Sequence, residues 1–260
     1  RIEKGLALAK PKPGFGVEAV TGLLNDLEFF VSHFGANHST ERALNTLREY
    51  ASFNQHHMVN IDWLLSRLDA LEEQCSGGCH EGGTRLVSRV QILHDSRIDL
   101  SAFFAARFSI RQFSADPVDE HTIRAAVMMA KKSPSVCNRE AGGVFVATSP
   151  AMKERLLRLQ NGNRGFGDQA DRVLVITSRL DTFLTTGERY QAWIDGGMFA
   201  MSLVYALHSL GVGSCCLNWS VDPTLDRSIH AIPGIPADHA VIMMLAIGNG
   251  ASYGGGMKVC

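Results

Sequence analysis

The sequence contains no apolar run approaching the roughly 18 residues that suggest a membrane span. It also lacks an excess of either charge. Twenty-five Lys and Arg stand against 26 Asp and Glu, leaving a formal net charge of −1, without the basic surplus expected of a nucleic-acid binder. Cysteine is too sparse for a disulfide scaffold: six in 260 residues, two of them adjacent (Cys215, Cys216), one isolated (Cys137) and one terminal (Cys260). A reduced, cytoplasmic setting is therefore expected. Neither a G-x-S-x-G elbow nor an H-E-x-x-H pair occurs, which argues against the commonest hydrolase chemistries. At 45% hydrophobic and 20% charged residues, the composition is that of a folded chain. It opens at Arg1 rather than at a methionine, so a preceding targeting segment is left open.

Residues 1–16 are basic and carry Pro11, Pro13, Gly14 and Gly16, which predicts an irregular arm. Gly14, Gly16 and Ala19 fit the spacing G-x-G-x-x-A. That fingerprint needs an apolar strand before it, and prolines occupy the place. Residues 17–95 read as a helical extension. Val17, Val20, Leu23, Leu24, Leu27 and Phe30 recur at helical spacing, and Gly35 ends the pattern. A second helix opens at Ser39-Thr40-Glu41, and a third carries Ile61, Leu64, Leu65, Leu68 and Leu71. Each apolar stripe must bury against something, either a main domain or a second copy of the chain. Cys75, Cys79 and His80 are soft ligands close together, but no further cluster completes the four that a structural zinc site takes. A glycine-rich loop is the better reading, and no metal is assigned.

From residue 96 to 260 the pattern alternates between helices and strands. A short helix around Leu100–Phe104 precedes Arg107-Phe108-Ser109-Ile110-Arg111. Asp119 suits the N-cap of a helix from His121 to Lys132, which Pro134 ends. Strands are expected at 143–148, 172–177, 214–219 and 240–247, the last apolar throughout and so buried on both faces. Ser149-Pro150 opens another helix, and a long one runs from about Glu188 to Leu210. Its apolar face is read as Trp193, Gly197, Ala200, Met201, Val204 and Leu207. The pair Gly196-Gly197 costs helix stability and implies a close approach by a neighbour.

Two stretches carry the chemistry. Arg107, Ser109 and Arg111 stand at alternate positions, so in an extended backbone they share a face and can converge on a phosphate. The competing reading is a solvated pair of surface arginines. About two dozen residues later, Ser133-Pro134-Ser135-Val136-Cys137-Asn138 forms a polar turn after a helix. Asn138 either offers a donor and an acceptor to a ligand or satisfies its own turn.

In their order, these segments resemble the nitroreductase family, the FMN-dependent oxidoreductases. Asp195-Gly196-Gly197-Met198, Leu210-Gly211-Val212-Gly213-Ser214-Cys215 and Met244-Leu245-Ala246-Ile247-Gly248 extend the resemblance over about residues 99–250. It implies an α+β, three-layer fold with a mixed central sheet flanked by helices, in a homodimer with FMN at the interface. By the resemblance, Arg107, Ser109 and Arg111 hold the FMN phosphate and ribityl chain, and Pro134, Ser135 and Asn138 lie beside the isoalloxazine. Asn163 falls at another ring contact, with a loop-capping role equally open. Cys216, Leu217 and Asn218 match the segment whose backbone N–H meets the flavin N5, where the best-known branch has proline, an apolar residue and glutamate. A cysteine beside a flavin suggests thiol chemistry, but a small buried hydrophobe is the stronger reading of Cys216. Phe166 and Trp219 are candidates for stacking on substrate, although core packing is the stronger reading for both. The family's C-terminal basic residues are represented in this sequence by Lys258, so either further residues complete the phosphate site or Lys258 serves alone. The implied activity passes electrons from NADH or NADPH through the flavin to a small conjugated acceptor, a nitroaromatic, quinone or similar, in ping-pong fashion. A flavin-binding or flavin-free partner or sensor protein is the alternative.

Overall fold

Among the described residues, the apolar stripes gather into three cores, one among the N-terminal helices and one on each face of a sheet. The computed structural model describes residues 1–75, 82–147 and 149–250. It divides into two compact units, Arg1–Arg97 and Ile98–Cys260. Among the described residues, no helix is long and apolar enough to cross a membrane.

The first unit is helical: α1 (Ile2–Leu6), α2 (Val17–Phe34), α3 (His38–His56), α4 (Asp62–Glu72) and α5 (Arg89–Asp95). The arm expected to be irregular is a helix over residues 2–6, because Ile2 joins the unit's core. The prolines and glycines after it do form a turn. Gly14 and Gly16 take left-handed φ values of 71° and 65°, and the Gly14 N–H donates to the buried Asn54 side chain at 2.7 Å. Helix α3 begins one residue earlier than Ser39 suggests. Asn37 caps it, accepting from the N–H groups of Ser39 and Thr40, while Thr40 Oγ1 accepts the Asn37 N–H. This reciprocal arrangement satisfies backbone donors that the first helical turn leaves free.

The second unit runs through α6 (Leu100–Ala105), α7 (Glu120–Ala130), β1 (Gly142–Val146), α8 (Pro150–Arg158), β2 (Arg172–Arg179), α9 (Gln191–Ser209), β3 (Gly213–Asn218), α10 (Pro223–Ile229) and β4 (His239–Gly248). The strands form one sheet in the order β1-β2-β4-β3, each named pair antiparallel. Among the described residues, the parallel component is one bridge between Ser109 and Ser214. Side chains alternate across the sheet. Val173, Val175, Met244 and Ala246 pack in one core with Leu156 of α8 and Ile229 of α10. Leu174, Ile176, Leu245 and Ile247 pack in the other with α7 and α9. The layers are therefore helix, sheet, helix, an α+β fold.

The glycine pair in α9 separates into two different positions. The β2–β4 register slips between Ile176–Met243 and Thr177–Val241, leaving Ile242 as a bulged residue. Both Ile242 and Met243 then pack on the α9 side. A Cβ at Gly196 would meet the Ile242 side chain at 2.6 Å, whereas one at Gly197 would meet nothing within 4 Å. Within one chain, Gly196 meets such a close approach from the sheet and Gly197 faces away from it. Trp193 (52%) and Met201 (36%) are exposed, while Phe199 and Leu203 are buried, so the buried stripe is rotated from the one read above. Within a single chain, Gly197→Ala should gain about 0.5–1 kcal/mol through helix propensity. Gly196→Ala should lack that gain, because overpacking costs about 1–3 kcal/mol. Thermal melts of the two variants check the difference.

Candidate active site

The Arg107–Arg111 stretch owes its position to β3. In an antiparallel ladder, a residue's N–H and C=O point to the same side, and alternate residues point to opposite sides. Ser214 C=O accepts the Ile110 N–H at 2.9 Å, and Asn218 C=O accepts from Gln160 Nε2 at 3.1 Å. The backbone groups of residues 214 and 218 therefore face away from β4, and the Cys216 N–H between them lies on the same outer edge.

Arg107 is half-buried and lines a cavity of 240 Å³ with Phe108, Ile110, His208, Gly213 and Ser214. Among the described residues, no carboxylate pairs with it. Other arginines of the same unit are paired: Arg139 with Glu188 at 2.9 Å, Arg172 with Asp171 at 2.6 Å and Arg179 with Asp181 at 2.7 Å. A half-buried guanidinium held beside a cavity without an acidic partner is suited to an anion. Its charge also acts on Cys216. Desolvation pushes the Cys216 thiol up, and Arg107 pulls it the other way.

The trio is not gathered as a unit around that cavity. Arg107 lines it and Arg111 does not; the Arg111 guanidinium lies 5.9 Å from the centre of the Phe166 ring. Ser109 is half-buried, and its backbone makes the bridge to Ser214.

Pro134 and Ser135 line a different cavity of 130 Å³, against Lys131, Glu140, Asp195 and Phe199. The two cavities share no lining residue. The loop that follows α7 is unusual in its backbone: Cys137, Asn138 and Glu140 have φ values of 51°, 53° and 51°. Left-handed conformations at residues other than glycine persist only where surrounding contacts enforce them. Asn138 is exposed within this loop.

Several expected contacts have other employment. Asn163 donates through Nδ2 to the Leu157 carbonyl at 2.8 Å and to the Gln160 carbonyl, closing the chain after α8. The loop-capping role is the one observed, so its amide nitrogen is not free for a ring. Leu217 is 2% exposed and its side chain lies in the core, leaving only its backbone for a ligand. Cys216 is exposed rather than buried, because its side chain points opposite to those of Cys215 and Leu217. The Asn218 side chain accepts from Gln160 Nε2 at 3.3 Å. Phe166 is a core residue, and the Trp219 indole donates to Asp226 at 2.8 Å. Cys79, His80 and Lys258 lie outside the described residues.

Two groups that the sequence does not single out matter here. Gln160 is 4% exposed and links the Asn163 turn to the end of β3. Asp195 is 4% exposed on α9 and accepts the Val136 N–H at 3.0 Å. The available signal for Asp195 was an acidic residue on an otherwise apolar stripe.

A model of the Nitroreductase family matches residues 104–163 and 151–249. The chain belongs to the nitroreductase family. The match lies entirely within the second unit. An NADH dehydrogenase of Thermus thermophilus is 26% identical over 188 residues, covering 60% of this chain and 89% of that one. An FMN-dependent nitroreductase from Clostridium difficile R20291 has the same fold at 19% identity and a TM-score of 0.51, over 60% of this chain and 90% of that one. A nitroreductase family protein from Streptococcus pneumoniae TIGR4 gives a TM-score of 0.51 at 16% identity, over 60% and 92% of the two chains. Within the nitroreductase family, this chain places cysteine at 216 and asparagine at 218 on the exposed sheet edge.

Proposed function

We propose that the chain is an FMN-dependent oxidoreductase that takes electrons from NADH or NADPH and passes them, in a ping-pong cycle, to a small conjugated acceptor such as a nitroaromatic or quinone. The observation that carries this reading is Arg107, a half-buried guanidinium facing a cavity without a carboxylate partner among the described residues. Family membership and the activities named for its relatives support it.

The residues present fit the cofactor. Arg107 would supply the cationic donors for the phosphate, and Ser109 a hydroxyl for the ribityl chain. The outward Cys216 N–H would donate to the nitrogen edge of the ring, with Ser135 and Asn138 offering polar groups beside it and Pro134 a packing surface. When bound, FMN supplies two-electron acceptance and release, and the protein contributes position and electrostatics. No side chain is assigned as acid or base.

The reading includes a homodimer. On α9, Trp193, Ile194 and Met198 are exposed, as are Leu100 and Phe104 on α6. Apolar side chains in such number on adjoining helices of one unit suit the surface of a second copy.

Anaerobic addition of NADH or NADPH to the FMN-loaded protein should bleach the flavin absorption, and a quinone or nitroaromatic should restore it. A protein that takes up no FMN would instead support the flavin-free partner reading.

A further inference from the structure

The left-handed residues of the 133–140 loop need external support, and α9 provides it at two points. Asp195 Oδ2 accepts the Val136 N–H at 3.0 Å, while Asp195 Oδ1 accepts from Gln191 Nε2 at 2.6 Å. Seven residues further along, Ser202 Oγ lies 2.6 Å from Ser133 Oγ. A separation of seven is close to two helical turns, so both contacts come from one face of α9. The far end of the loop is tied by Arg139, which donates to the Thr182 carbonyl at 2.8 Å and pairs with Glu188. Within the loop, Ser135 Oγ accepts the Glu140 N–H at 3.0 Å.

Asp195 is distinctive among these supports. It is a buried carboxylate, and its backbone contact immediately precedes Cys137 and Asn138. A carboxylate accepting from a backbone N–H makes a charge-assisted bond, stronger than a neutral one. Asp195 lines the 130 Å³ cavity with Pro134, Ser135 and Phe199, yet is only 4% exposed, which strengthens that bond. We propose that Asp195 is the positioning residue of the flavin-ring wall: by holding the Val136 N–H it fixes the loop in the conformation that presents Ser135 and Asn138. It acts through the loop and is not itself a catalytic residue. The inference rests on the FMN reading given above.

The test uses the full chain as wild type, Asp195→Ala and Asp195→Asn. Asparagine keeps an oxygen that accepts the Val136 N–H, and Gln191 can turn its amide to match. Asp195→Ala should bind FMN about tenfold more weakly, as expected when a buried bond to a charged acceptor is lost. It should also change the visible circular dichroism of the bound flavin. Asp195→Asn should restore both affinity and dichroism toward wild type. An alanine variant with wild-type FMN affinity and wild-type dichroism would overturn the assignment. If the alanine variant does not fold, native-state amide exchange of the wild type decides. Protection of the Val136 amide well above that of Cys137 supports the contact, and exchange at the rate of an exposed loop refutes it. Failure of the FMN reading is seen separately, as a wild type that binds no FMN in the same titration.

Discussion

Replacing Arg107 with alanine should weaken FMN binding by about 10- to 100-fold. Hydrogen bonds to charged groups contribute roughly 1.5–3 kcal/mol each, and every 1.4 kcal/mol is a factor of about ten in affinity. The effect should fall on the phosphate end alone. Riboflavin, which has the same ring without the phosphate, should bind the variant as it binds the wild type. Stability should change little, because among the described residues Arg107 has no carboxylate partner to lose. Flavin fluorescence titrations of both ligands against both proteins check the prediction. Arg107→Lys should recover only part of the loss, since a point charge replaces a planar fork of donors.

The second large effect is structural. Leu203 on α9 is fully buried, in the core where β2 and β4 present Leu174, Ile176 and Leu245. Leu203→Ala removes three carbons from a packed interior and leaves a cavity, at a cost of about 2–5 kcal/mol. For a unit of this size, each kcal/mol shifts the melting midpoint by about 2–4 °C, so a fall of roughly 5–20 °C is expected. Calorimetry measures it. An unchanged midpoint would mean that α9 does not seal this face of the sheet. The same helix carries Asp195 toward the 133–140 loop, so its seating matters to the site as well as to stability.

Much of this architecture was legible in the residues. Asp119, Ser149 and Gly211 marked helix ends because capping is local chemistry. The all-apolar run of β4 indicated burial on both faces, and its alternate residues do enter two cores. Features set by packing were not legible. The bulge in β4 puts Ile242 against Gly196 of α9 and leaves Gly197 open. No periodicity within α9 encodes a bulge in another strand.

The site divides in the same way. The extended Arg107–Arg111 stretch could be read from its alternation, but the attachment of Ser109 to Ser214 required the sheet edge. That alternation also suggested that Arg111 joins Arg107, whereas Arg111 does not line the cavity that Arg107 lines. Asn163 could serve a ligand or a turn on sequence grounds, and the carbonyls of Leu157 and Gln160 decide for the turn. Asp195 stands in one of the segments that carry the family resemblance, yet the sequence assigns it no role, because its importance lies in the backbone N–H it accepts, and that donor is 59 residues away in sequence.

The most direct measurement is a comparison of wild-type affinities for FMN and riboflavin. A cationic grip on the mononucleotide's phosphate predicts that FMN binds at least about tenfold more tightly, the equivalent of roughly one charge-assisted hydrogen bond. Equal affinities, or no uptake of either flavin, would contradict the account.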